Sequence, residues 1–510
     1  MFTPFAQRPP ADGAADKRPH AAVIGSGLGG LAAAIRLGAR GYRVTVFEKL
    51  EQPGGRASVF RQDGFTFDAG PTIITAPFIL DELWSLAGAR FSDDVTLKPL
   101  EPFYDIRFHD GSVMTCAADP AFMREEVRRI APDDVDGYEN FMRESEALYR
   151  IGFEQLGHVP FGSALDMVRI APDLLRLGAW RTVYQHVSAR VKNPKIRMAL
   201  SFHPLFIGGN PFKVTAIYSM IAYLERQFGV HCAIGGTGAI VQAMANLIAR
   251  QGGHIALNSE ISEITCEGAR ATGVRLADGR TIPAEVVVSN AETAHTYARL
   301  LRNAPKKRWS DAKLKRARYS MSLFVWYFGT NRQYTDVRHH TIMMGPRYKE
   351  LLHDIFERKQ LSDDFSLYLH RPTASDPSLA PQGSDSFYVL SPVPHQDSGV
   401  DWTTRAEPYK QAIAAHLDAT VLPGFRDHIV TEKLITPIDF ETRLSSTKGA
   451  AFGLEPVLLQ SAWFRPNNKS EDIENLFLVG AGTHPGAGIP GVISSARILD
   501  TVVPHASTFA

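Results

Sequence analysis

The sequence predicts an α/β fold: a discontinuous Rossmann-type domain near the N-terminus, joined to a mixed α+β domain and a helical cap. Three observations carry the prediction of the first domain. Residues 21–24 form a short apolar run that ends at a glycine, as a buried parallel strand does. A glycine-rich turn and a helix of small residues follow. Residues 43–48 then alternate between polar and apolar positions, as a second strand should.

The turn reads GSGLGG and places Gly25, Gly27 and Gly30 in the spacing of a dinucleotide-binding loop. Gly25 allows the tight turn, Gly27 lets the backbone approach a pyrophosphate, and Gly30 lets the helix pack against the strand. The helix N-terminus offers free N–H groups to the phosphates. Glu48 lies 18 residues after Gly30, where a carboxylate can bind the adenosine ribose. This unit predicts a bound dinucleotide but leaves FAD and NAD both open.

Length, composition and charge are those of a multi-domain globular protein. The 510 residues exceed what one ordinary core accommodates, and the net charge of +1 gives no overall field that would attract nucleic acid. We therefore expect no nucleic-acid partner. Residues 1–19 are interpreted as a flexible tail rather than a signal peptide, because they lack an apolar stretch. No membrane-spanning helix is predicted.

The three cysteines, Cys116, Cys232 and Cys266, are odd in number, far apart and without CxxC spacing. This pattern argues against a disulfide framework and against a cysteine-based zinc site. No metal site is predicted. A reducing environment fits best, so we expect a cytoplasmic protein.

A second glycine-rich segment follows Glu48. The chain reads KLEQPGGRAS over 49–58 and GFTFDAGPT over 64–72. The first phrase resembles the GGR extension of amine-oxidase-like flavoproteins. The resemblance implies that Gly55 approaches the flavin diphosphate and that Arg56 lies near the cofactor. Residues 68–71, which include Gly70, would pack beside the flavin ring. This segment favours FAD over NAD.

The resemblance to amine-oxidase-like flavoproteins also implies that a C-terminal strand, loop and helix return to the first domain and complete the same site. NLFLVGAG (475–482) has the pattern of a buried strand, and THPGAGIPGVISSARI (483–498) that of a loop entering a helix. The N-terminus of that helix would stabilise negative charge on a reduced flavin. The residues expected to contact the cofactor here are Gly480, Gly482, Gly488, Ile489, Gly491 and Val492.

Seven phrases distributed along the chain resemble bacterial phytoene desaturases. They are GGNPF (208–212), GGTGAIVQ (235–242), SLFVWYFG (322–329), HHTIMMGPRY (339–348), FSLYLH (365–370), QSAWFRP (460–466) and GAGTHPGAGIPGV (480–492). The resemblance implies stepwise desaturation of phytoene to neurosporene or lycopene, with FAD reduced and then reoxidised by quinone or oxygen. It also implies that the backbone near Ile261 contacts the adenine. The FAD should be non-covalent, because no cysteine follows Cys266.

A polyene substrate has no polar handle, so its site should be a long apolar tunnel. Access to such a substrate requires a membrane surface. Residues 161–193 combine apolar and basic side chains and suit an interfacial helix pair divided at Pro172. We therefore expect peripheral membrane association. The aromatic and aliphatic candidates for lining the tunnel are Phe202, Phe206, Ile207, Tyr218, Ile221, Tyr223, Phe324, Trp326, Tyr327 and Phe328, which would serve equally as core.

The sequence contains no motif for a catalytic base. Glu225, Asp166 and His484 are candidates, and for His484 the interpretation that it holds the backbone beside Pro485 is favoured. The domain prediction assigns 20–100, 229–300 and 456–505 to the FAD-binding domain, 101–125 and 301–455 to the substrate domain, and 126–228 to the cap.

Several alternatives stay open on the sequence alone. A carotenoid isomerase, a ketolase, a desaturase of another carotenoid, another flavin oxidase or a non-catalytic polyene carrier could share these patterns. The number of desaturation steps and the oligomeric state are not specified by the sequence.

Overall fold

The Rossmann-type unit belongs to a five-stranded sheet, here called the parallel sheet. In spatial order its strands are Leu476–Leu478, Val286–Ser289, His20–Ile24, Arg43–Phe47 and His254–Ala256. Each neighbouring pair is parallel. The central strand is buried along its whole length, which explains why its sequence is a continuous apolar run.

The two faces of the parallel sheet are covered differently. Ala21 and Val23 pack with the helices Leu28–Ala39, Thr237–Arg250 and Ile489–Arg497. Ala22 and Ile24 point to the opposite face and pack towards a small antiparallel sheet. That sheet consists of Ile261–Glu267, Arg270–Leu276 and Thr281–Pro283. Its turn falls at Asp278 and Gly279 as predicted, with a positive φ of 93° at Gly279.

A second sheet, here called the mixed sheet, has seven strands. Its strands in order are Ile429–Ile435, Ser322–Thr330, Asp385–Val393, Leu367–His370, His340–Met344, Tyr104–Phe108 and Val113–Cys116. Side chains alternate across it, so Phe324, Trp326 and Phe328 pack beneath the helix Trp402–Thr420. Those three aromatic residues are core. Tyr327 points to the opposite face.

Helices dominate the chain segment between the strands Val113–Cys116 and Val230–Ala233. They are Pro120–Ile130, Val135–Tyr149, Ala164–Arg176, Val183–Ser188, Pro194–Ser201 and Met220–Phe228. The expected division at Pro172 is wrong, because one helix, Ala164–Arg176, continues through it. Proline removes one backbone hydrogen bond, and the helix accommodates that loss.

Shorter elements complete the fold. Strands Val59–Gln62 and Phe65–Asp68 form one hairpin, and Leu97–Leu100 pairs with Val230–Ala233. The other helices are Phe78–Ser85, Phe91–Asp94, Thr293–His295, Asp311–Arg316, Tyr348–His353, Pro437–Thr442 and Leu499–Val502.

This computed structural model describes residues 16–162 and 164–509, without the side chains of 164–167 and 169. Most of the predicted tail, 1–19, lies outside the described residues. Among those described, no helix combines the length and apolarity needed to cross a bilayer. The domain boundaries stay predictions, although the mixed sheet takes its strands from the two segments predicted to form one domain.

Candidate functional site

The first glycine loop connects the central strand of the parallel sheet to the helix Leu28–Ala39. Gly25 has a φ of +88°, and its N–H donates to the carbonyl of Phe47 at 2.8 Å. A Cβ added to Gly30 would lie 2.0 Å from the carbonyl oxygen of Gly25, so only glycine fits there. Gly27 caps the helix, whose first N–H groups have no acceptor within the helix. The loop therefore offers an anion site at the helix N-terminus.

Glu48 is buried at the end of the second strand, beside this loop. Its carboxylate accepts from the backbone N–H of Ser26 at 2.8 Å, from the Ser26 hydroxyl at 2.7 Å and from the Leu50 N–H at 3.0 Å. The carbonyl of Glu48 accepts from Ser259 at 2.7 Å. That bond brings the start of the strand Ile261–Glu267 towards Glu48, so the structure brings Ile261 and Glu48 to one region.

The GGR segment packs directly on the first loop. Gly54 donates to the carbonyl of Ser26 at 2.9 Å, and a Cβ on Gly55 would lie 3.4 Å from Cα of Gly27. Arg56 donates from Nη2 to the Ser446 hydroxyl at 2.6 Å, while its Nε is buried without a hydrogen-bond partner. Burial lowers the pKa of the guanidinium, and Glu292 opposes that shift. Arg56 thus keeps an unused donor beside the anion site.

Gly70 has no room for a side chain. A Cβ there would lie 1.8 Å from the carbonyl oxygen of Arg56. The loop that Gly70 belongs to is held by the Tyr327 hydroxyl, which donates to Ala69 at 3.2 Å. The GGR turn and the 68–71 loop therefore form one unit.

The C-terminal glycines approach the same loop from the other side. Gly480 has a φ of +96°, and a Cβ on Gly29 would lie 3.0 Å from its Cα. A Cβ on Gly482 would lie 2.0 Å from the Thr293 hydroxyl. Gly488 has a φ of +94° and begins the helix Ile489–Arg497. That helix carries the remaining predicted residues, Ile489, Gly491 and Val492.

Two polar residues that were not predicted from the sequence, the half-buried Asn290 and the buried Arg465, hold these loops together. Asn290 follows a strand of the parallel sheet, and its side-chain amide lies against the glycine loop, donating to Gly25 at 3.4 Å. Arg465 donates to the carbonyl of Ala481 at 2.6 Å. The sequence did contain a signal for Asn290, because this residue lies at the carboxyl end of a predicted parallel strand. Arg465 lies in the phrase QSAWFRP, whose function the sequence did not indicate.

The three candidate bases have different surroundings. Glu225 is buried and accepts from the Tyr104 hydroxyl at 2.8 Å, with His203 Nε2 3.4 Å away. His484 is buried, its Nε2 lies 2.9 Å from the carbonyl of Leu156, and burial lowers its pKa to about 4. Its ring thus holds a backbone carbonyl, which supports the positional interpretation. The side chain of Asp166 lies outside the described residues.

A polar network on the mixed sheet faces the 68–71 loop. The Thr72 hydroxyl lies 2.9 Å from the Tyr368 hydroxyl and 2.8 Å from that of Tyr388. Tyr368 also lies 2.7 Å from His340 Nδ1. Its ring meets Phe206 at 6.3 Å between centroids. Predicted lining residues Phe202 and Phe206 therefore lie between this network and the Glu225 cluster.

These features fit a flavin dinucleotide. The glycines let the three loops pack together where any Cβ would collide with neighbouring protein atoms. The helix N-terminus and Arg56 supply donors for a diphosphate, and Glu48 supplies an acceptor.

Comparison with known proteins gives the family. The model of the flavin-containing amine oxidoreductases matches residues 28–498. The neurosporene-forming phytoene desaturase of Cereibacter sphaeroides is 52% identical over 96% of this chain and 95% of its own length. The chain belongs to the phytoene desaturase family of flavin-containing amine oxidoreductases.

Other relatives agree with this membership. The lycopene-forming phytoene desaturase of Pseudescherichia vulneris is 48% identical over 93% of this chain and 97% of its own length. Cyclohexylamine oxidase from Brevibacterium oxydans covers 96% of this chain and 99% of its own, with a TM-score of 0.62 at 14% identity, and therefore shows the fold alone. The predicted family, fold class and FAD cofactor of this phytoene desaturase homologue are confirmed.

Proposed function

We propose that this protein is an FAD-dependent oxidoreductase that desaturates phytoene to neurosporene or lycopene. The observation that carries the proposal is the 52% identity to a phytoene desaturase over nearly the full length of both chains. The cofactor-directed features support it, because the reaction requires bound FAD.

In this proposal the parallel sheet and its loops hold FAD non-covalently. Gly25, Gly27 and Gly30 form the turn under the diphosphate, Arg56 donates to it from its free Nε, and Glu48 accepts from the ribose. The other contributors are Gly55, Gly70, Ile261, Gly480, Gly482, Gly488, Ile489, Gly491 and Val492. When bound, FAD accepts a hydride from an allylic carbon of the substrate.

Desaturation also releases a proton from the neighbouring carbon, and the residues of this chain must receive it or pass it on. Glu225 is the strongest of the three candidates, because its carboxylate is buried among aromatic rings with Tyr104 and His203 as hydrogen-bonding neighbours. His484 is occupied by the carbonyl of Leu156. We propose Glu225 as the proton acceptor and His484 as a residue that positions its loop.

The substrate side of the proposal requires an apolar route from a bilayer. A surface cavity of about 1030 Å³ does not provide it, because Arg347, Lys359, Asp363 and Arg405 are among its lining residues. An exposed apolar patch is better suited. It comprises Val168, Leu175, Trp180, Leu458 and Leu459, exposed by between 50% and 70%.

The patch draws on two segments of the chain whose elements contact each other. The helix Ala164–Arg176 contacts the turn Ala462–Phe464, which follows Leu459 closely. Arg181 lies over the Trp180 ring at 5.1 Å. Apolar side chains flanked by arginine favour an interface with anionic lipid. We propose peripheral membrane association at this patch, with quinone or oxygen as the final electron acceptor.

The test is anaerobic reconstitution of the purified protein with FAD and phytoene-loaded liposomes. We expect flavin absorbance to bleach only when phytoene is present, with polyene bands appearing at longer wavelength. Chromatography of the products then distinguishes neurosporene from lycopene, and reoxidation by added quinone or by oxygen identifies the acceptor. Bound FAD that stays oxidised would instead indicate an isomerase, another substrate or a carrier.

The role of Glu225 is tested in the same assay. Glu225→Gln keeps the shape and the bond to Tyr104, so we expect full FAD content but slower bleaching. His484→Gln serves as the matched comparison and should bleach at nearly the wild-type rate. Equal rates for the two variants would remove Glu225 from the mechanism.

A further inference from the structure

Three buried histidines converge at the edge of two neighbouring strands of the mixed sheet. His340 and His370 are direct partners in the antiparallel pairing of His340–Met344 with Leu367–His370. His339 precedes the first of these strands. One ring nitrogen from each of the three lies within 4.8 Å of those of the other two. Their exposures are 7%, 0% and 1% for His339, His340 and His370.

The rings are oriented by hydrogen bonds that leave other nitrogens unused. His340 Nδ1 lies 2.7 Å from the Tyr368 hydroxyl, and His339 Nδ1 lies 2.8 Å from the Ser375 hydroxyl. His340 Nε2 and His370 Nδ1 are buried without a hydrogen-bond partner. His340 is oriented as metal-binding histidines are, with one nitrogen fixed by a neighbour and the other free. A buried nitrogen without a partner otherwise carries a desolvation cost.

A small cavity lies beside the cluster. Its volume of about 10 Å³ is close to the space of a single water molecule or ion. His339 and His370 line it together with Cys232, Asp68 and Asp376. The two carboxyl groups supply negative charge near the cavity.

Positive charges near the cluster are already engaged. Lys98 donates to the Ser375 carbonyl at 3.1 Å, and Arg371 pairs with Asp385 at 2.8 Å.

We propose that His339, His340 and His370 bind one divalent transition-metal ion of the Zn²⁺ type. Nε2 of His339 and Nε2 of His370 are 3.1 Å apart. Tetrahedral coordination with Zn–N bonds of the usual length separates two ligand nitrogens by about 3.3 Å. A ring nitrogen of His340 lies within 4.8 Å of the other two ligand atoms, so His340 must move inward to complete the third bond. The ion would replace the hydrogen bond between His339 Nε2 and His370 Nε2 and would give a partner to His340 Nε2, which otherwise has none.

This site departs from the expectation drawn from the sequence, which predicted no metal. Zinc motifs are usually recognised from short ligand spacing. Here 30 residues separate His340 from His370, and strand pairing brings them together. Through Tyr368 and Thr72 the site is two hydrogen bonds from the segment that follows the 68–71 loop.

The experiment uses the FAD-loaded full chain, with any affinity tag removed, after treatment with chelator and dialysis. The protein is titrated with Co²⁺, and bound metal is measured by mass spectrometry after gel filtration. We expect one Co²⁺ per chain, with the ligand-field absorption of a low-coordinate nitrogen site beyond the flavin bands. Zn²⁺ should displace the ion and abolish that absorption.

Variants localise the ion. His340→Gln and His370→Gln should lose the stoichiometric Co²⁺, whereas His353→Gln, an exposed histidine on the helix Tyr348–His353, should keep it. Tyr368→Phe removes the orienting hydroxyl and should weaken binding about 10- to 100-fold. FAD content reports whether each variant is folded.

Two results would overturn the proposal. One is a wild-type chain that binds neither Co²⁺ nor Zn²⁺ in a stoichiometric amount. This result does not depend on whether any variant folds. The other is unchanged binding in FAD-loaded His340→Gln and His370→Gln. In either case the three imidazoles would be a hydrogen-bonded cluster of the core.

Discussion

Gly30 and Gly38 lie on the same helix, Leu28–Ala39, but a methyl group would have different consequences at each. At Gly30 it would meet the backbone carbonyl of Gly25 at 2.0 Å, and at Gly38 the flexible end of Gln251 at 2.8 Å. Gly30→Ala must therefore displace the glycine loop, at about 1–3 kcal/mol. We expect FAD affinity to fall by about 10-fold or more, as measured by titration of flavin fluorescence.

Gly38→Ala is the control for this prediction. The side chain of Gln251 can move aside, and alanine favours the helix over glycine by up to about 1 kcal/mol. FAD affinity should therefore stay at the wild-type level. If both variants bind FAD as the wild type does, close packing at Gly30 is not a requirement of the site.

The buried imidazole of His484 predicts a pH dependence. Its pKa in the folded chain is about 4, against a usual value of 6.5. The unfolded chain therefore binds the extra proton first, and stability is lost as the pH falls from 7.5 towards 5, by about 2 kcal/mol. Glutamine does not titrate and can still donate to Leu156. In urea unfolding, the stability of His484→Gln should lack this part of the pH dependence. The prediction would be contradicted if the variant and the wild type lost the same stability over this pH range.

At the scale of the secondary-structure elements, one buried cation connects three helices. Arg36 has a fully buried side chain and pairs with Glu82 of Phe78–Ser85 and with Asp500 of Leu499–Val502. Arg36→Met keeps much of the volume but leaves Asp500 without its partner. Removing one member of a buried pair costs about 3–5 kcal/mol. Both carboxylates are about one-third exposed and can be hydrated, so we expect the lower end of that range.

Urea unfolding measures this loss, and Glu82→Gln is its control. Glu82→Gln leaves the Arg36 pair with Asp500 intact, at 2.5 Å, and should cost less than about 1 kcal/mol. Burial raises the pKa of Asp500 and Arg36 opposes that shift. The deficit of Arg36→Met should therefore shrink at acid pH, where Asp500 is protonated. A deficit that is independent of pH would indicate lost packing instead.

The elements differ in how far their sequences determine them. The strands before Gly25 and Gly480 were predictable because both of their faces are buried, which requires continuous apolar runs. The predicted helix boundary at Pro172 was wrong, because proline usually ends a helix but here lies inside one. The phrase SLFVWYFG is apolar at nearly every position and buried throughout, so its sequence could not show which face meets the helix Trp402–Thr420.

At the scale of the whole molecule, local patterns lose their predictive power. The parallel sheet joins strands that are more than 450 residues apart in the chain, from His20–Ile24 to Leu476–Leu478. The family resemblance, rather than any periodicity, suggested that assembly. Contacts made only by this assembly, such as Asn290 on the glycine loop or His340 beside His370, were accordingly missed.

The orientation of the whole molecule on a membrane gives the last prediction. Leu459 and Trp180 are 70% and 63% exposed in the proposed patch, and burying each in a lipid interface contributes about 1.5–3 kcal/mol. Replacing both by aspartate removes that gain and adds repulsion from anionic lipid. We expect binding to phosphatidylglycerol vesicles, measured by flotation, to fall at least about 100-fold while FAD content is unchanged. Val430→Asp changes another side chain that is 50% exposed, in the strand Ile429–Ile435, and should leave flotation unaltered. Equal losses in the two variants would mean that apolar exposure in general, and not this patch, drives the association.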